Sequence, residues 1–214
     1  MSESIFAPTP RPSIGIATSR GFEVYKKAMI PMSIWALISH GTIMGINYIV
    51  GFATFGIGLI VTMLLYSLVW FPVHAGYYHA AYDSARGREV TFATMFKGFS
   101  DKNTYILGLI FTVCWCIGLL FCIFPAFIPI ALAPWWLGGL VGRRKTGTEA
   151  LSYGNKVYTR NFGISLMITI FGGILYFIGD MSVLFSAFLV PIAICLHIAA
   201  FEMLSDPRED STSS

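Results

Sequence analysis

Four histidines and a thin scatter of acids are what this chain offers to acid–base or metal chemistry. Ser33, His40 and Asn47 recur at a spacing of seven, which places them on one face of a helix, with Gly41 and Gly45 forming a Gly-x-x-x-Gly beside them. Small residues let helices approach closely and polar ones bond across the contact, so a helix-packing seam is the simpler reading. The functional alternative is a ligand pocket, or an axial haem ligand at His40 with His197 as its partner. His79 and Asp83 lie four apart, so a carboxylate stands where it can orient an imidazole. A proton relay or metal site is conceivable there, but the adjoining loop adds only Glu89, and an interfacial polar pair beside Tyr77, Tyr78 and Tyr82 explains it as well. Asp180, next to Gly179, reads as a turn residue. Glu149 and Glu202 flank spans on the basic side, where ion pairs with Arg143, Arg144 or Lys145 would be unremarkable. Gly-x-Ser-x-Gly, His-Glu-x-x-His, Walker A and paired hydrolase carboxylates are all missing from the sequence. No catalytic, cofactor-binding or metal-binding residue is therefore assigned, and enzymatic function is not expected.

The elements that must position these residues are apolar helices. Of 214 residues, 56% are hydrophobic and only 12% charged, about half the charge of a soluble domain. The apolar residues fall in three long blocks, 28–82, 103–142 and 161–201, with Asp180 the one Asp, Glu, Lys or Arg inside them. A helix crosses a bilayer core with roughly 20 residues, so each block holds two crossings. Each also has a breaker near its middle: Gly51, Gly56 and Gly58, then Pro125, Pro129 and Pro134, then Gly179-Asp180. The expected fold is an all-α integral membrane protein of six spans arranged as three hairpins, at 29–50, 57–81, 104–123, 127–142, 162–179 and 182–203. The fourth is short and proline-containing, which leaves a re-entrant segment as the alternative. With six spans, every Lys and Arg falls on one side, the cytoplasmic one by the positive-inside rule, and both termini lie there. The net charge of +3 then reflects topology and contact with anionic lipids, with no nucleic acid implied. Met1 to Ser19 shows no signal-peptide core. Cys114, Cys116, Cys122 and Cys195 lie within spans as small apolar residues.

Each hairpin is preceded by a short basic, aromatic segment, 21–27, 91–102 and 148–160, which predicts a cytoplasmic interfacial helix before each one. In the second, Phe92, Met95, Phe96 and Phe99 form one apolar stripe at i, i+3, i+4 and i+7. Trp135 and Trp136 suit an interface, a lipid-facing position or a neighbouring protein. Residues 1–19 and 205–214 are polar, hold Pro8, Pro10, Pro12 and Pro207, and are expected to be disordered cytoplasmic tails around a transmembrane domain at 20–204.

The stretch GYYHAAYDSARGREVTFATMFKGF, from Gly76 to Phe99, resembles the region between helices in a broad group of bacterial membrane proteins. That group includes the membrane domain fused to some glycerophosphodiester phosphodiesterases and stand-alone relatives of unknown function. Ile123 to Ala126 is similar to the group's proline turn, and Glu149 to Leu151 followed by Asn161 to its next loop. Ala126 stands where the group tends to have Gly, and Gly154 where a Ser is common. The likeness spans about residues 76–165 and implies a bacterial cytoplasmic membrane protein without catalytic residues, the phosphodiesterase chemistry belonging to a separate domain. The leading expectation is an accessory or scaffolding subunit of a larger membrane complex, a respiratory-chain supercomplex being one host. The alternative is a transporter or lipid-handling protein with its substrate between hairpins near His40 and Asn47.

Overall fold

A computed structural model describes residues 12–54, 58–121 and 123–205; the side chains of Asn47, Gly51, 58–68 and 123–124 lie outside what it describes. The described residues form eight helices and no strand: α1 (Ile14–Ala53), α2 (Gly58–Ala85), α3 (Phe92–Ser100), α4 (Lys102–Phe121), α5 (Ile123–Leu137), α6 (Gly147–Arg160), α7 (Phe162–Asp180) and α8 (Val183–Leu204). A single π-helical turn, Gly138–Gly142, extends α5. Five segments are long and apolar enough to cross a bilayer: Ile14–Val50, Lys102–Phe121, Pro125–Gly142, Phe162–Asp180 and Val183–Leu204. That is the pattern of a multi-pass membrane protein. α2 has 28 residues, but the side chains of its first part are not described.

The first helix differs from expectation in two ways. It begins at Ile14, capped by the Ser13 hydroxyl, so residues 14–19 of the expected tail are helical and Ala17 is buried. It also continues without a break through 21–27, so no separate interfacial helix precedes the first hairpin. The reason is packing against α8. A Cβ on Gly21 would stand 3.0 Å from the Leu196 backbone, and Val24, Tyr25 and Ala28 are buried with it. At about 1.5 Å per residue, the 40 residues of α1 span roughly 60 Å, enough to cross a bilayer and rise well beyond it.

The other two interfacial segments are separate helices, each laid on the helix before it through glycine. A Cβ on Gly76 of α2 would come 2.2 Å from the Met95 carbonyl oxygen, and one on Gly98 of α3 would come 2.0 Å from that of Pro72. The backbones of α2 and α3 therefore touch. The contact splits the apolar stripe of α3: Met95 is fully buried, Phe99 half-buried, and Phe92 and Phe96 exposed. Phe96 and Phe99 meet the edge of Trp35 on α1, with ring centroids 5.0 and 6.5 Å apart. α6 rests on α5 in the same manner, with Gly154 against the Trp135 backbone and Gly139 against that of Ala150. Its start is held by a capping box in which the Thr146 amide donates to the Glu149 carboxylate at 3.0 Å, which also holds that carboxyl below its ordinary pKa.

α5 runs helically past Pro129 and Pro134 into the π turn, so these prolines do not fold the segment back. The Tyr78 hydroxyl donates to the Pro134 carbonyl at 2.8 Å, which ties α2 to α5 at this point. Trp135 and Trp136 are buried rather than interfacial, because each indole N–H finds a partner inside, Thr169 Oγ1 at 3.1 Å and Asn155 Oδ1 at 2.7 Å.

Overpacking a closed backbone contact costs roughly 1–3 kcal/mol. Gly76→Ala and Gly98→Ala should each lower the thermal midpoint in detergent, read by intrinsic fluorescence. Gly173→Ala, where a Cβ meets nothing within 4 Å, should leave it unchanged or raise it.

Candidate functional site: a basic cavity at one end of the bundle

The end of α2 is built around an αL glycine. Gly87 has φ 70°, its amide donates to the Ser84 carbonyl at 3.0 Å, and the Arg88 amide donates to the Asp83 carbonyl at 2.8 Å. This is the hydrogen-bond pattern of a Schellman cap, which only a residue tolerating positive φ closes without strain. It turns the chain back so that the Arg88 guanidinium reaches Asp83 Oδ1 at 2.8 Å. The docking of α3 brings Lys97 to the other oxygen, Oδ2, at 3.0 Å. Asp83 thus joins the loop and α3 to α2, and it is the buried member of the trio, 10% exposed against 52% for each base.

These residues form one side of a cavity of about 350 Å³. α2 contributes His79, Tyr82 and Asp83; Arg86 and Arg88 follow it; Lys97 comes from α3, and Asp101 with Asn103 from its junction with α4. The opposite side is Leu140 and Val141 of the π turn and the loop residues Arg144, Lys145 and Thr146. Five basic side chains face two acidic ones, a formal surplus of three positive charges with His79 neutral. Asp101 Oδ1 accepts from the backbone and side-chain nitrogens of Asn103, each at 2.9 Å, and Asn103 Oδ1 accepts from the Gly147 amide at 3.1 Å. The start of α6 is so tied to that of α4.

The floor is a second polar group. The Tyr82 hydroxyl donates to Glu202 Oε1 at 2.7 Å, while Arg143 reaches Glu202 Oε2 at 3.2 Å and also donates to the Ser205 hydroxyl. Gly142 makes room for Tyr82, since a Cβ there would lie 2.1 Å from the phenol oxygen. Gly138 does the same for Phe201 of α8. Next to this floor, Arg144 has φ 51°, the one non-glycine with positive φ among the described residues. A bulky side chain in that region strains the backbone, and such strain collects at ligand clamps, as π turns collect at functional sites.

The residues singled out by spacing separate into two places. His79 and Asp83 both line the cavity, but the Asp83 carboxylate is taken by Arg88 and Lys97. His40 lies at a distance from it in the core, 3.7 Å from Asp180 Oδ1 of α7, with its ring centroid 6.2 Å from that of His74. His74 stacks on Trp70 at 3.7 Å and its Nδ1 bonds the Trp70 carbonyl at 2.8 Å. A carbonyl only accepts, so Nδ1 carries the proton and Nε2, buried with no partner among the described residues, is a bare acceptor. His197 belongs to other surroundings, against Trp135 and over Gly172, with its Nδ1 on the Ala193 carbonyl at 2.8 Å. Along the spacing-of-seven face, the Ser33 hydroxyl is buried without a partner among the described residues, and the Asn47 side chain lies outside them. Gly41 touches Val183 of α8, whereas a Cβ on Gly45 would meet nothing within 4 Å. Cys195 is buried with its sulfur 3.9 Å from that of Met32.

Spacing alone did not find Arg86, Arg88, Lys97, Arg144 and Lys145 as one group, nor Tyr82 with Glu202, 120 residues apart. The available signal was the concentration of basic residues around Gly87 and Thr146. Protein-family models, curated proteins and solved structures show no match to this chain.

Replacing the hydroxyl that meets Glu202 leaves a buried carboxylate oxygen without its donor, and hydrogen bonds to charged groups contribute about 1.5–3 kcal/mol. Tyr82→Phe should therefore lower the unfolding free energy by that order in denaturant titration, with the helical circular dichroism of the folded protein unchanged.

Proposed function

We propose that this chain is a non-catalytic, six-span protein of the bacterial cytoplasmic membrane, with both termini cytoplasmic, that holds an anionic lipid headgroup in its basic cavity. The observation that carries the reading is the cavity's lining: five cationic side chains against two carboxylates that are already engaged. Its volume falls in the range of ordinary ligand sites, about 300–1,000 Å³. Supporting the orientation, six crossings leave every Lys and Arg on one side, the side that faces the anionic cytoplasmic leaflet. Exposed Phe92 and Phe96 on α3, beside Lys97, suit a helix at headgroup level.

This is the lipid-handling alternative drawn from the sequence, moved from the region of His40 and Asn47 to the basic end. Service as an accessory subunit of a larger complex is compatible with it but makes no demand on the cavity. The likeness to the membrane domain of phosphodiesterases supports the same class of setting, a membrane protein whose own helices carry no hydrolytic groups.

Purified protein in nanodiscs should be stabilised more by phosphatidylglycerol than by phosphatidylcholine, and added salt should erase the difference. Each cation near a lipid surface contributes about 1 kcal/mol, so Arg86→Ala with Arg144→Ala should weaken anionic-lipid binding roughly thirty-fold, while Lys27→Ala, outside the cavity, should not. Equal stabilisation by both lipids would refute the proposal.

A further inference from the structure

Resting on the reading of the cavity as an anion site, we propose that the group it selects is a dianionic phosphomonoester, in preference to the monoanionic phosphodiester of ordinary anionic lipids. The carboxylates lining the site already have partners on its own walls. Both oxygens of Asp83 are occupied, by Arg88 and by Lys97, and Asp101 Oδ1 takes two nitrogens of Asn103. Arg86 and Arg144, by contrast, have no carboxylate within 4 Å among the described residues. The Arg86 guanidinium is instead placed by the Tyr82 ring, 5.6 Å from its centroid, and Arg144 by a backbone held at φ 51° where the π turn ends. Two guanidinium forks without counter-charge match a group with several equivalent oxygens, since each fork binds two oxygens side by side.

A phosphodiester exposes two unesterified oxygens and one negative charge. A phosphomonoester exposes three and approaches two charges above its second pKa, about 6. Three oxygens satisfy two forks with one oxygen shared, and a second charge answers more of the cavity's surplus of three. A monoester carried by a lipid and a soluble one offer this same terminal group.

The test uses the full chain in phosphatidylcholine nanodiscs, with phosphatidate or phosphatidylglycerol at equal mole fraction and with glycerol 3-phosphate as the soluble probe. One further charge on the ligand is worth about 1 kcal/mol, so phosphatidate should bind roughly five-fold tighter at pH 8. The advantage should vanish as the pH falls to about 5, through the second phosphate pKa. Displacement of phosphatidate by glycerol 3-phosphate would support recognition of the phosphate group by itself. Phosphatidate preference without such displacement would support the lipid as its source. The paired variant Arg86→Lys, Arg144→Lys keeps the charge and loses the forks; it should retain binding of both anionic lipids with a smaller preference for phosphatidate. Equal affinity of the wild-type chain for phosphatidate and phosphatidylglycerol would overturn the inference and leave the anionic-headgroup function standing. Failure of both lipids to exceed phosphatidylcholine would overturn both.

Discussion

The contact between Gly76 and the backbone of α3 is what the basic end of the molecule depends on. Within lipid, helices gain little from burying apolar surface against one another, and close packing of backbones is the main source of cohesion. At Gly76 and Gly98 that packing reaches its limit, with room for no Cβ on either side. Because α3 lies flush on α2, Lys97 arrives at Asp83 and the loop from Arg86 to Thr91 has a fixed span to cross. The opposite side is assembled by the same device: Gly154 lays α6 on α5, and Gly142 admits the Tyr82 ring under the π turn. The cavity exists where these two glycine-packed pairs face each other.

Gathering five cations at one site carries an electrostatic cost. Like charges about 4 Å apart repel by roughly 4 kcal/mol at an effective dielectric of 20. Asp83 offsets this by standing between Arg88 and Lys97, with one oxygen on each. Glu202 pairs with one cation, Arg143, and accepts from the neutral Tyr82 hydroxyl on its other oxygen. The acids at this end are thus organisers of the basic residues. Arg144 has no such acid among the described residues, and its position comes from the strained backbone instead.

Legibility in the sequence follows the range of the forces involved. The span expected at 104–123 is the helix Lys102–Phe121, and that at 182–203 is Val183–Leu204, because long apolar blocks and a Gly-Asp break are local signals. The continuity of α1 through 21–27 is not visible in the sequence: Lys26 and Lys27 suggest a separate interfacial helix, yet on a helix buried along its other face by Val24, Tyr25 and Ala28 they simply point outward. Trp135 and Trp136 were misplaced for a similar reason, since their indole partners, Thr169 and Asn155, come from α7 and α6. Asp83 shows the limit most clearly. Its i, i+4 neighbour His79 is the partner that sequence can name, but the stronger cations at Arg88 and Lys97 reach it through a turn and a helix docking that only the fold supplies.

α2 links the two polar places. His74, Tyr78 and Tyr82 follow one another at a spacing of four, so they descend a single face of the helix, and each meets a different element. His74 faces His40 of α1, Tyr78 bonds the carbonyl of Pro134 in α5, and Tyr82 bonds Glu202 of α8. Ser84, two residues past Tyr82 and on another face, donates to the Val24 carbonyl of α1 at 3.1 Å. Among these rungs Ala75, Gly76, Ala80 and Ala81 keep the helix narrow enough for its neighbours to close on it. Polar bonds inside an apolar bundle add modestly to stability but strongly specify register, because a slipped helix would leave each donor unsatisfied. The register set by that ladder is what brings Asp83, one residue past Tyr82, to the cavity with both of its oxygens turned to bases.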